Sequence, residues 1–313
     1  MTVLPRTFGR PRTVLRLLPV FVRHLVCTPY RYVGRAPLGQ RCRLAAYDTF
    51  LALLLAGMAE LADRPVRDAA GGLAVLVNRI AFLLDDEFER RLGRRSIDFT
   101  EILETTPVGA AVQDMRAYLA AHCSERGEQV RDLLWQAVHD EYRRYAESAL
   151  QRCAPATLPE LLSDAELDSG AILRRLAEVI AVFDGFALSP DALAQFQALG
   201  VVCKLADDLR DWWRDEQAGA GNVLSLCLRG TPAELDAAVT AATQGERMSE
   251  ARWRALCPHA YGSFCELYAE RYASIRCTPL RLAADVMTET GRLGVTPDAL
   301  GGSAARLGQG TSG

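Results

Sequence analysis

Apolar residues recur every third or fourth position along most of the chain, and the strict alternation of half-buried strands is missing. This spacing predicts helices over 44–61, 72–91, 128–152, 171–183, 190–214, 232–242 and 253–275. The run Leu73-Ala-Val-Leu-Val-Asn-Arg-Ile-Ala-Phe-Leu-Leu84 is apolar nearly all round, as in a central helix with partners on several sides. Pro and Gly punctuate the pattern at 34–39, 153–159, 185–190 and 218–221. There is no internal repeat and no stretch that reads as an interdomain linker. The expectation is an all-α single domain over 1–300, opening on a basic segment at 1–35 and followed by a disordered tail at 301–313.

Composition narrows the function classes. The chain has 313 residues, half of them hydrophobic, and a net charge of −3. That balance argues against a dedicated nucleic-acid binder. The charge is uneven: nine arginines and no acid precede Asp48. Such an arm can rest on anionic lipid as a peripheral contact, or simply be an Arg-rich first helix and loop. No apolar run reaches the ~20 residues of a membrane span, and Arg16 and Arg23 interrupt what would be a signal peptide's core. Nine cysteines without a CxxC pair, and only four histidines, fit neither a disulfide framework nor a zinc site. Single buried thiols in a reducing cytoplasm are expected. Lys204 is the only lysine.

Two acidic clusters carry the candidate chemistry. Asp85-Asp86-Glu87-Phe88-Glu89 ends the first apolar helix, and Asp85 and Glu89 share a face four residues apart. Like charges at that spacing repel, so a cation should compensate. In the second cluster Asp207, Asp211 and Asp215 recur every four residues behind the apolar stretch 196–206. Carboxylates without His or thiol partners select Mg²⁺ or Mn²⁺ over zinc. Mg²⁺ takes few carboxylates directly and completes its shell with water and substrate phosphates, so a diphosphate between the clusters is the expected ligand. Arg94 and Arg95 would bind its oxygens as forks. The alternative for each cluster by itself is a solvated helix face paired with nearby arginines, and for Arg94 and Arg95 it is pairing with Asp98 or Glu101.

Taken in order, these residues resemble the trans-isoprenyl diphosphate synthases and the class I terpene synthases that share their fold. Asp85-Asp86-x-x-Glu89 with Arg94-Arg95 resembles the first aspartate-rich motif, and Asp207-Asp208-x-x-Asp211 the second, with Asp215 matching a further acid. Asp168-Ser169-Gly170-Ala171 resembles the Lys-Thr-Gly-Ala segment, and Gly39-Gln40-Arg41-Cys42-Arg43 the Gly-Lys-Arg-x-Arg segment. Gln40, Asp168 and Asn222 stand where the synthases place lysine, and Asn78 where they carry His or Gln ahead of the first motif. In the synthases those positions help to hold two diphosphates, that of the allylic substrate and that of isopentenyl diphosphate, and losing cations there weakens the case for a second diphosphate site. The resemblance therefore implies an isoprenoid-synthase-type helical bundle with a deep central apolar cavity, acting as a terpene cyclase on one prenyl diphosphate, C20 or C15. Chain-elongating prenyl transfer is the main alternative; head-to-head condensation and an inert regulatory subunit stand behind it.

It implies, further, three Mg²⁺ ions held by Asp85, Glu89, Asp207, Asp211 and Asp215 beside Asp86. Arg94, Arg95, Arg174, Lys204 and an Arg271-Tyr272 pair similar to one in the terpene synthases would bind diphosphate. Phe82, Phe183, Phe186, Trp212 or Trp213 would face a carbocation, with core packing the alternative for each. His139 could serve as a terminating base or sit on a helix surface. Family precedent suggests a homodimer.

Overall fold

The computed structural model describes residues 38–90, 99–123, 126–137, 139 and 157–292. Within that set the side chains of 38–47, Phe82, Asp85, Asp86, 88–90, Phe99, Asp168 and 289–292 are outside the description. The protein is all-α: among the described residues no strand forms. The helices are α1 (Leu38–Leu61), α2 (Asp68–Arg90), α3 (Phe99–Thr105), α4 (Pro107–His122), α5 (Leu158–Ala165), α6 (Ala171–Asp184), α7 (Pro190–Ala218), α8 (Val223–Arg229), α9 (Pro232–Thr243), α10 (Glu250–Leu256), α11 (Pro258–Ala273) and α12 (Thr278–Arg292). Residues 127–137 are also helical, and a π turn, Glu166–Gly170, joins α5 to α6.

The ends of these helices are written in local chemistry. Thr106 accepts a hydrogen bond from the Val108 amide ahead of Pro107 and starts α4. Thr157 and Glu160 form a capping box on α5. Gly185, at φ +83°, supplies the left-handed residue that stops α6. The Ser189 hydroxyl accepts from the Ala192 amide and starts α7.

The chain clusters into two compact units. Among the described residues, the first comprises 38–53, Val202–Ser274 and 281–292; the second comprises those within Leu54–Val201 and Ile275–Leu280. In the second unit α2 packs on α4 and α6. Its core takes Leu73 and Ile80 from α2, Val108, Ala111, Val112, Met115 and Leu119 from one face of α4, and Val179, Ile180 and Phe183 from α6. Burying each large apolar side chain contributes roughly 1.5–3 kcal/mol. Tyr118 lies over Gly72, where a β-carbon would overlap its ring, and donates to the Ala69 carbonyl at 2.8 Å. Buried Gln195 accepts from the Arg276 and Cys277 amides at 2.8 and 2.9 Å and so caps the start of α12.

In the first unit α8 packs on α9 and α11, and α10 on α9 and α11. Leu205, Leu209 and Trp212 from α7 join Leu224 and Leu228 from α8, Trp253 from α10, and Tyr261, Phe264 and Tyr268 from α11. The single helix expected over 253–275 is two, because Pro258 cannot donate to the ladder and disfavours helical geometry at Cys257. Pro258 then serves as the first residue of α11. The expected helix over 128–152 is described only in part. Helices α3, α4, α5, α8 and α12 were not predicted; α3, α5 and α8 run to eight residues or fewer, and α4 begins at a proline.

Candidate functional site

The acidic stretch occupies the last three turns of α7. Val201, Val202, Leu205 and Ala206 before it are buried, so the carboxylates start where an apolar helix leaves the core. Gly219 at φ +65° ends the helix four residues after Asp215, and Asn222 begins α8 three residues further on. That tight turn brings the start of α8 back against the acidic stretch.

Each carboxylate has a different environment. Asp208 is 1% exposed. Lys204 Nζ sits 2.7 Å from its Oδ1, and the Val223 amide donates to its Oδ2 at 2.9 Å. Burial pushes this carboxyl above the usual carboxylate range, against the pull of the Lys204 ammonium and the Val223 amide in the opposite direction. Asp208 thus clamps α8 onto α7. Asp207 is partly exposed and pairs with Arg210. Asp211, 8% exposed, accepts from Arg210 Nη2 at 3.0 Å and Arg214 Nη2 at 3.1 Å. Asp215 Oδ2 accepts from Asn222 Nδ2 at 2.9 Å, while Arg214 Nε lies 3.7 Å from its Oδ1.

Four of the predicted residues are therefore brought together: Lys204, Asp207, Asp211 and Asp215. Sequence spacing missed Arg210, Arg214, the clamping role of Asp208 and the hydrogen-bonding role of Asn222. The signal for the arginines was present, since 210 and 214 each lie three residues after an acid of the stripe.

The other candidates lie elsewhere. Asp85, Asp86 and Glu89 occupy the last turn and a half of α2, with side chains outside the described set, and Arg94 and Arg95 are outside the described residues altogether. Within that turn Glu87 is buried. Arg174 pairs with Glu178 at 3.3 Å and donates to Gln197 Oε1 at 3.4 Å. Tyr272 is buried and donates to Asp285 at 2.9 Å, beside half-buried Arg271. Trp212 packs edge-on against Trp253, with ring centres 5.0 Å apart, and neighbours the partly exposed Trp213. Phe183 is core, stacked 6.4 Å from Tyr118, and Phe186 lies under the Arg64 guanidinium. The Phe82 side chain is outside the description. His139 is exposed. Gly170 closes the π turn, where a β-carbon would come within 3.2 Å of Gln197. An open depression of about 330 Å³ between α9 and α10, lined by Asp236, Thr240, Glu246 and Arg252 among others, holds none of these residues.

Among the described residues no three His, Cys, Asp or Glu side chains converge on one point as a preformed metal cage. The donor set still fits Mg²⁺, which needs only one or two carboxylate oxygens when phosphate and water complete its shell. Arg210 and Arg214 pair closely with Asp207 and Asp211, while Arg214, 65% exposed, stands 3.7 Å from Asp215 Oδ1.

No family model matches the chain, and no curated protein does. Among solved structures the chain is similar to a crystal structure of geranylgeranyl pyrophosphate synthase at 14% identity, covering 93% of this chain and 94% of that one, with a TM-score of 0.44. Among the described residues no helix is long and apolar enough to cross a membrane.

Proposed function

We propose that the chain is a class I terpene synthase, which ionises one prenyl diphosphate with Mg²⁺ and closes the resulting carbocation into rings. The observation that carries this reading is the acidic stripe of α7. Asp207, Asp211 and Asp215 follow one another at four-residue spacing just beyond buried apolar turns, with Lys204, Arg210 and Arg214 among them. An amphipathic substrate with a greasy tail and a polyanionic head asks for that boundary. The motif order along the sequence supports the same reading, with Asp85, Asp86 and Glu89 as the second carboxylate set.

The chain's own residues would divide the work. Asp85, Glu89, Asp207, Asp211 and Asp215 would hold the metal, which when bound supplies Lewis-acid neutralisation of the leaving diphosphate. Arg94, Arg95, Arg210 and Arg214 would donate to diphosphate oxygens as charge develops on them. Asp208 stays with Lys204 and fixes the frame. Peripheral membrane contact through the basic segment 1–35 and homodimer formation belong to the same proposal.

The test feeds C10, C15 and C20 prenyl diphosphates singly with Mg²⁺ and analyses products by mass spectrometry. Cyclic hydrocarbon or alcohol formed without isopentenyl diphosphate is the expected result. A longer diphosphate formed only when isopentenyl diphosphate is added replaces cyclisation with chain elongation. Turnover at full rate in Asp211→Ala removes the metal assignment.

A further inference from the structure

Asn222 is 2% exposed, and its amide is fully used. Oδ1 accepts from the Ser225 amide at 3.1 Å and caps α8. Nδ2 donates at 2.9 Å to the Asp208 carbonyl and at 2.9 Å to Asp215 Oδ2. One side chain therefore joins the cap of α8, the backbone of α7 and the last carboxylate of the acidic stripe. Few residue types can do all three. Ser or Thr caps a helix but is too short to carry two such donors; Lys donates but cannot cap.

Charge matters as much as reach. Asp207 and Asp211 face guanidinium groups, whereas the close partner of Asp215 is a neutral amide. A neutral donor orients a carboxylate without cancelling its charge. It also occupies one oxygen only, leaving Oδ1 with nothing nearer than Arg214 Nε at 3.7 Å among its ion-pair partners.

We propose that Asn222 is a positioning residue, which ties down Asp215 Oδ2 so that Oδ1 is presented to a divalent cation. The inference rests on the reading of the α7 acids as metal ligands. It assigns to position 222 an indirect role, exerted through Asp215 and not by contact with diphosphate. Partners that orient a metal-ligating carboxylate typically alter metal affinity by roughly 10–100-fold when lost.

The test uses the full chain and Mn²⁺ as the probe, titrated by electron paramagnetic resonance in the presence of inorganic diphosphate. Asn222→Ser keeps a competent cap for α8 and loses both amide donors. It should weaken Mn²⁺ binding on the order of tenfold and raise the Mg²⁺ concentration needed for half-maximal turnover, with a cooperative thermal transition retained but lowered, because the Asp208 carbonyl loses its donor. Asp215→Asn approaches the same contact from the other side without touching the cap. The double variant should bind no more weakly than Asp215→Asn, because the two residues act through one carboxylate. Native Mn²⁺ affinity in Asn222→Ser, or losses that add in full, overturns the inference while a loss in Asp211→Ala keeps the metal site standing. Native Mn²⁺ affinity in both Asp211→Ala and Asp215→Asn overturns the metal reading and this inference with it.

Discussion

A carboxylate's role here follows from who sits beside it. Asp207 and Asp208 are adjacent in sequence, yet one is partly exposed against an arginine and the other is buried on Lys204 and the amide of Val223. Glu234 shows the same logic away from the candidate site. Its carboxylate accepts from the His259 and Ala260 amides at 3.0 and 2.8 Å and from the His259 ring at 2.7 Å, capping α11. Burial alone would raise its pKa; the two amides and the His259 ring outweigh that and hold it below its ordinary value of 4.5. A carboxyl whose folded pKa is depressed stabilises the fold above its unfolded pKa and loses that contribution as pH falls through the folded value. Glu234→Gln should therefore cost about 1 kcal/mol near neutral pH. The gap to the native chain should close once the pH is taken well below 4.5, as read by denaturant unfolding at each pH. A gap that persists unchanged in acid would mean that packing, not charge, sets the cost.

Between helices, glycine marks where backbones touch. A β-carbon at Gly200 on α7 would overlap the Ser169 carbonyl oxygen and come within 2.7 Å of the Gly170 α-carbon, so the π turn can lie against α7 only through bare backbone. Gly200→Ala should destabilise by roughly 1–3 kcal/mol, since neither neighbour is a side chain that can rotate aside. Gly262, inside α11, has nothing within 4 Å of its β-carbon position. Gly262→Ala should stabilise by roughly 0.5–1 kcal/mol through helix propensity alone. Thermal melts of the two variants should move in opposite directions; a shared direction would refute the close crossing. At this scale spacing alone is an incomplete guide. It predicted α7 through its long apolar and acidic register, but joined α10 to α11 across Pro258, because an apolar period of 3.6 runs through both. The π turn at Glu166–Gly170 has no periodic signature at all; it lies where Gly170 and Gly200 bring backbone against backbone.

For the whole molecule, the proposed activity ties stability to ligand. Mg²⁺ with inorganic diphosphate should raise the melting temperature on the order of 5 °C when present at about 100 times the dissociation constant, an effect near 2.7 kcal/mol. Asp211→Ala should abolish this shift and turnover together while melting normally without ligand. Asp85→Ala should do the same if the α2 and α7 carboxylates share one diphosphate. A shift lost in Asp211→Ala but intact in Asp85→Ala would confine the ion to α7.

The amino-acid sequence by itself determined that the chain is helical and that Asp207, Asp211 and Asp215 form one stripe, since both follow from 3.6 residues per turn. It could not separate ligand from clamp or cavity wall from core. Trp212 meets Trp253, Tyr272 meets Asp285, and Asn222 meets Asp215, each across a turn or from another helix. Such meetings are settled by how helices pack and where turns reverse, and local spacing carries no record of a partner that only packing brings within 3 Å. The tertiary structure therefore decided which partner each residue of the acidic stretch meets.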